Sequence, residues 1–222
     1  MASRVRADRR VGSPYLVGVA GAVAVGKSTF AKALAAALDP VAVEVVATDG
    51  FLRPNAELAA EGLLAQKGFP ASYDVAALTG FLDDLRAGRL AEAPVYSHVT
   101  YDRVPGEARR VDAATVEVLV LEGVNALQPA VAERLDLRVY VDADEPLVRS
   151  WYVQRFLEMI EAAEADEASF YRGFVALDPE ARRSLADSVW EGVNLVNLTE
   201  HILPTREHAD LVLAKVVGHR FS

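Results

Sequence analysis

Apolar residues along this chain fall into short unbroken runs that alternate with longer stretches of helical period. Residues 15–20 (YLVGVA) form such a run, the pattern of a strand buried on both faces. A glycine-rich stretch, Gly21 to Gly26, follows it, and a helix is predicted from Lys27 to about Leu38. Residues 41–48 are rich in β-branched side chains and predict a second strand, ending at Asp49. Residues 50–73 carry Pro54, Gly62, Gly68 and Pro70 and read as loop. Leu78, Phe81, Leu82 and Leu85 recur at helical spacing, so Asp74 to Gly88 is predicted as an amphipathic helix. Residues 94–102 alternate like a strand, and Pro105-Gly106 reads as a turn. Apolar runs at 116–121 and 137–141 predict buried strands that end at Glu122 and Asp142. Helices near 145–163 and 179–193 and a strand at 210–214 come last. This alternation predicts an α/β fold with a mostly parallel sheet and helices on both faces. Open sheets of this kind bind ligands beyond the C-terminal strand ends, where residues 21–28, Asp49 and Glu122 would lie.

Composition narrows the picture. A length of 222 residues suits one domain, expected over 15–222 after a flexible arm at 1–14. Arg4, Arg6, Arg9 and Arg10 make that arm basic, but no apolar segment of signal-peptide type follows. There is no cysteine, which removes disulfides, thiol nucleophiles and zinc–thiolate sites and fits a reducing, cytoplasmic setting. No apolar run reaches membrane-spanning length, so no membrane partner is expected. Lys plus Arg number 23 against 32 Asp plus Glu, a formal charge of −9, which argues against a nucleic-acid partner.

The strongest chemical signal is Gly21-Ala22-Val23-Ala24-Val25-Gly26-Lys27-Ser28, followed by Thr29. It matches G-x-x-x-x-G-K-[ST], with a strand before and a helix after. Its glycines let backbone N–H groups turn inward around phosphate oxygens, and the helix N-terminus adds partial positive charge. Lys27 would reach the β- and γ-phosphates, as the loop's one cation, and Ser28 would offer a hydroxyl to Mg²⁺. Glu122, at a strand end beside this loop, is a candidate Mg²⁺ ligand, directly or through water. Asp49 has two readings: the carboxylate that accepts the proton of an acceptor hydroxyl, or a turn aspartate ahead of Gly50.

The segments GAVAVGKST (21–29), TDGFLRPNAEL (48–58), KGFPASYD (67–74), APVYSHVTYD (93–102), LEGVNALQ (121–128), YVDADE (140–145), WYVQRF (151–156) and NLTEHILPTRE (197–207) run in order along the chain. Together they resemble the bacterial type I pantothenate kinases, in the wider group of phosphoribulokinase- and uridine-kinase-like enzymes. The resemblance implies a P-loop kinase using ATP and Mg²⁺ on a small molecule, pantothenate first, in a homodimer. It implies that Asp49 is the base, that Lys27 and Arg155 serve the transferring phosphoryl, and that His219 stands against adenine. It implies further that Tyr96, His98 and Tyr152 line the substrate pocket. Tyr96 and His98 are two apart on the predicted strand and so share a face. Trp151 reads as helix core, and Phe170 and Tyr171 as either pocket wall or core.

The chain also departs from that pattern. Only about a dozen residues precede the first strand here, so the strip that covers adenine in the family is expected to lack a counterpart. His201 stands where the family has an asparagine that contacts pantothenate, and Lys32 where it has an arginine near the coenzyme A site. Residues 158–167 are acidic. Two other readings stay open: a related kinase for a nucleoside or sugar hydroxyl, and a nucleotide-binding regulator without turnover.

Overall fold

The computed structural model describes residues 1–9, 12–216 and 220–221. Its centre is a sheet in the order β2-β5-β1-β6-β7-β8. Strands β1 (Tyr15–Gly21), β2 (Val43–Ala47), β5 (Val118–Glu122), β6 (Leu137–Asp142) and β7 (Leu211–Val216) are parallel, and β8 (Arg220–Phe221) is antiparallel to β7. Side chains alternate across the sheet and feed two cores. Val17, Val19, Val118, Val120 and Val139 meet α2 (Lys27–Leu38), α6 (Glu145–Ala162) and α7 (Pro179–Val189). Leu16, Ala20, Leu119, Leu121 and Tyr140 meet the Leu78, Phe81, Leu82 and Leu85 stripe of α4 (Val75–Arg86). Glu122 lies opposite both Val19 of β1 and Ala47 of β2, so β2 and β5 finish level and β1 runs two residues further at the same edge of the sheet.

Several predicted elements need correction. The strand expected over 94–102 is two strands of a hairpin, β3 (Leu90–Ser97) and β4 (Asp102–Asp112), which form their own antiparallel sheet. The chain reverses over 98–101, where His98, Val99 and Thr100 are exposed, and the alternation of residue types runs through the turn without marking it. Pro105-Gly106 is no hairpin turn but lies inside β4, where pairing slips between Pro94↔Ala108 and Tyr96↔Arg103. A bulge tolerates a residue without an N–H and one at φ 75°. Residues 50–73 hold a short helix, α3 (Asn55–Ala60), and 3₁₀ turns. A further short helix, α5 (Pro129–Ala132), precedes β6.

The expected flexible arm contains α1 (Ala2–Asp8), whose Val5 is fully buried. Arg6 donates to the carbonyls of Ala37 and Asp39 at 2.9 and 3.0 Å, and Arg9 pairs with Glu117 at 2.7 Å. The helix expected to stop near 193 continues as π turns at Trp190–Asn194 and Leu198–Ile202, which flank α8 (Leu195–Asn197). Among the described residues no helix is long and apolar enough to cross a membrane.

Candidate active site

β1 ends at Gly21 and α2 begins at Lys27, so residues 22–26 form a loop at the sheet edge. Ala24 (φ 60°) and Gly26 (φ 102°) are left-handed, and backbone of alternating hand turns successive N–H groups toward one point. Gly21, Ala22 and Val25 are buried, whereas Val23 and Ala24 are half-buried at the mouth. Ser28 and Thr29 are exposed on the first turn of α2. Lys27 is buried and donates to the Ala22 carbonyl at 2.8 Å. Burial pushes its ammonium below the ordinary lysine range; Glu122 and Asp49 oppose that shift, and Arg155 adds to it. Those four side chains therefore share one electrostatic neighbourhood. Ser28 Oγ donates to Glu122 Oε1 at 2.7 Å, and Glu122 is buried at the end of β5.

A cavity of about 620 Å³ opens on this loop, lined by Lys27, Ser28, Arg155, Trp151 and Lys215 among others. Lys27 is thus not the loop's one cation: Arg155, exposed on α6, and Lys215, on β7, reach it from elements distant in sequence. A larger groove of about 850 Å³ runs between α6 and α7, but Arg149 there is paired with Asp187 at 3.0 Å and it contains no phosphate-binding backbone.

Asp49 sits on the 3₁₀ turn Thr48–Phe51 that directly follows β2. The hairpin closes over it: a Cβ added to Gly50 would lie 2.1 Å from the Pro94 carbonyl oxygen, so a glycine is what lets β3 approach. Burial raises the hydroxyl pKa values of Tyr73, Tyr96 and Tyr101, and the Asp49 charge raises each further. Burial lowers Lys67, which Asp102 and Asp49 help to keep charged. The Asp49 charge therefore acts on two lysines and three tyrosines.

Lys67 Nζ is held by Asn55 Oδ1 and the Tyr101 carbonyl, both at 2.5 Å, and lies 4.5 and 5.0 Å from the ring centroids of Tyr101 and Tyr96. Tyr101, at the hairpin tip, has φ 54°, a costly conformation for a tyrosine that the surrounding rings must hold. It stacks on Phe170 at 4.8 Å and meets Tyr171 at 6.3 Å, so these two join the wall beside Asp49.

The other predicted residues divide. Tyr96 and His98 are together, with centroids 5.2 Å apart, although β3 stops at Ser97 and it is the turn that brings His98 back. Tyr152 is buried against Trp190 and Phe156, with Asn194 near its hydroxyl. His201 packs edge-on to Phe69 at 5.4 Å, with Nε2 3.9 Å from the Glu200 carboxylate. Lys32 is exposed on α2. His219 lies outside the described residues. Lys67, Tyr101, Asn125 and Asn197 were not singled out from sequence. Asn125 and Asn197 both donate to the Gly68 carbonyl at 2.9 Å, and Asn197 Oδ1 is buried with no donor among the described residues. Each stands in a quoted segment, yet nothing in spacing separates a buried lysine or amide from a surface one.

An anion nest at a helix start, a serine–carboxylate pair beside it and a carboxylate among lysines and tyrosines define a P-loop phosphotransferase. Residues 16–159 match the phosphoribulokinase / uridine kinase family. The chain belongs to that family. A pantothenate kinase of Rhodopseudomonas palustris (strain TIE-1) is 46% identical, over 93% of this chain and 69% of the relative. One of Rhizobium meliloti (strain 1021) is 44% identical, over 93% of this chain and 67% of the relative. Among solved structures, a Silicibacter sp. TM1040 protein described as a candidate fructose transport system kinase superposes with TM-score 0.74 at 23% identity, covering 95% of this chain and 97% of that one. Phosphoribulokinase from Rhodobacter spheroides superposes with TM-score 0.54 at 14% identity, covering 91% and 70%. At those identities the two structures bear on the fold alone.

Proposed function

We propose that this chain transfers the γ-phosphoryl of ATP to the primary hydroxyl of pantothenate, with Asp49 as the base. The observation that carries the reading is the neighbourhood of Asp49, within electrostatic reach of Lys27 on one side and of Lys67, Tyr96 and Tyr101 on the other. The likeness to relatives named pantothenate kinase supports the choice of acceptor. Nucleotide phosphates enter the N–H nest of 22–26, and Lys27 exchanges the Ala22 carbonyl for a phosphate oxygen. Asp49 accepts the hydroxyl proton as the oxygen bonds to phosphorus and the bond to the ADP oxygen breaks. Arg155, with a flexible stem on the exposed face of α6, closes on the transferring group. Tyr96, His98, Tyr152 and His201 surround the acceptor.

Ser28 and Glu122 fit Mg²⁺: two hard oxygen donors, one ionisable, at the edge of the phosphate loop. Among the described residues no group of three or more His, Cys, Asp or Glu side chains could hold a metal alone. That suits an ion whose remaining ligands are phosphates and water. When bound, Mg²⁺ neutralises charge on the β- and γ-oxygens. The test is ADP formation from ATP with pantothenate, uridine or sugar alcohols as acceptor. Turnover is expected with pantothenate. Turnover with another acceptor alone would reassign the substrate, and MgATP binding without turnover on any acceptor would favour a regulator.

A further inference from the structure

Lys215 is a buried cation, 7% exposed, one residue before the end of β7. The phosphate-loop motif does not include it, and it lies 188 positions beyond Lys27 in sequence. Its Nζ donates to the Val25 carbonyl at 2.8 Å and lies 4.3 Å from the centroid of the Trp151 ring. A Cβ built on Gly26 would sit 2.7 Å from the same Nζ, so the ammonium rests directly against the loop backbone. The Val25–Gly26 peptide is trans. In a planar trans peptide the C=O and the following N–H point in opposite directions. A cation that fixes the Val25 carbonyl therefore also fixes the direction of the Gly26 N–H, in the loop beside the cavity that Lys215 itself helps to line.

Trp151 extends the linkage. It stands one helical turn before Arg155 on α6, so the two share a face. An ammonium over its ring is attracted by the ring's negative face, and more strongly when water is excluded. Lys215 thus joins β7, the phosphate loop and the face of α6 that carries Arg155. Burial pushes its ammonium below the ordinary lysine range, and no carboxylate among the described residues offsets this. A bound polyphosphate would be the anion nearest to it.

We propose that Lys215 is a positioning residue for the nucleotide's phosphates: it holds the Val25–Gly26 peptide of the phosphate loop in one orientation and supplies a second fixed positive charge at the wall of the cavity. The inference rests on the reading of 21–28 as a nucleotide site and extends it to a residue outside the motif. It also implies that phosphate binding and the docking of β7 against α6 are coupled.

The experiment is calorimetric titration with MgADP, plus steady-state kinetics, on wild type, Lys215→Met, Lys215→Gln and Lys215→Arg, each with a melting curve. Methionine removes charge and donor. Glutamine keeps a donor for the Val25 carbonyl, and so the fold, without the charge. Lys215→Met is expected to raise the MgADP Kd and the ATP KM tenfold or more. Lys215→Gln is expected to fall between it and wild type, and Lys215→Arg within about threefold of wild type. The pantothenate KM should stay within threefold throughout, a split that a merely structural strut would not produce. An MgADP Kd within threefold of wild type in Lys215→Gln, or a pantothenate KM that moves as far as the ATP KM, overturns the proposal. Wild type that binds no MgADP overturns instead the nucleotide reading beneath it.

Discussion

On the proposed mechanism Lys27 serves the phosphate side and Asp49 the acceptor side, so their substitutions should be kinetically distinct. Lys27→Ala removes one preorganised donor from developing charge, a loss worth ~10²–10³ in turnover. Arg155 and Lys215 line the same cavity, so some activity should survive, and a near-normal kcat would remove Lys27 from the mechanism. Asp49→Asn keeps shape but accepts no proton, and should lower kcat by about 10²–10⁴ with MgATP affinity intact. Recovery of turnover at high ATP would move Asp49 to the nucleotide side. His201 is the sharpest departure from the family pattern, and its ring is turned onto Phe69 and Glu200. An asparagine would present donor and acceptor on a shorter arm. His201→Asn is therefore expected to raise pantothenate kcat/KM by roughly tenfold, the worth of one hydrogen bond of about 1.4 kcal/mol. A fall in kcat/KM would show that the imidazole itself serves the substrate.

At the scale of elements, the site is made by the approach of the β3–β4 hairpin to the turn after β2. Gly50 permits that approach, because any side chain there meets the Pro94 carbonyl, which is backbone and cannot rotate away. Gly50→Ala should cost about 1–3 kcal/mol of overpacking and push β3 off Asp49. The expected result is a raised acceptor KM with an unchanged ATP KM, read from initial rates against each substrate. An ATP KM that rises in step would mean that the hairpin also shapes the phosphate loop. Periodicity found the buried strands and α4, where a whole face is apolar. It could not find the hairpin's reversal at 98–101, because the alternation continues through the exposed His98, Val99 and Thr100 with no Gly or Pro to mark a turn. It also missed the π turns around α8, since nothing local marks the extra residue in each.

At the scale of the whole molecule, stability and catalysis are separable along α2. Lys27 opens this helix, and Ala37 near its other end accepts from Arg6 of α1. Ten residues of helix put these points about 15 Å apart. Val5→Ala removes two buried methyl groups, about 1.5–3 kcal/mol with the cavity left behind. For a chain of this size each kcal/mol moves the melting temperature by about 2–4 °C. A drop of several degrees with unchanged kcat/KM is expected from calorimetry and kinetics. An altered kcat/KM would show that α1 reaches the site through the helix.

The order of strands and helices, the phosphate loop and the carboxylates at strand ends were legible in the sequence because each is a local matter. A strand's burial sets its apolar run, and an anion nest needs glycine and the helix start within eight residues. What the tertiary structure decided is which distant groups converge. Lys67 comes to the aromatic wall from a loop and Lys215 to the phosphate loop from β7, each beside backbone that is distant from it in sequence. The N-terminal helix is held by the burial of Val5 and by Arg6 at the end of α2, both of them contacts between segments distant in sequence. Such contacts follow from how parallel strands stack and which ends they align, and no window of sequence contains that information.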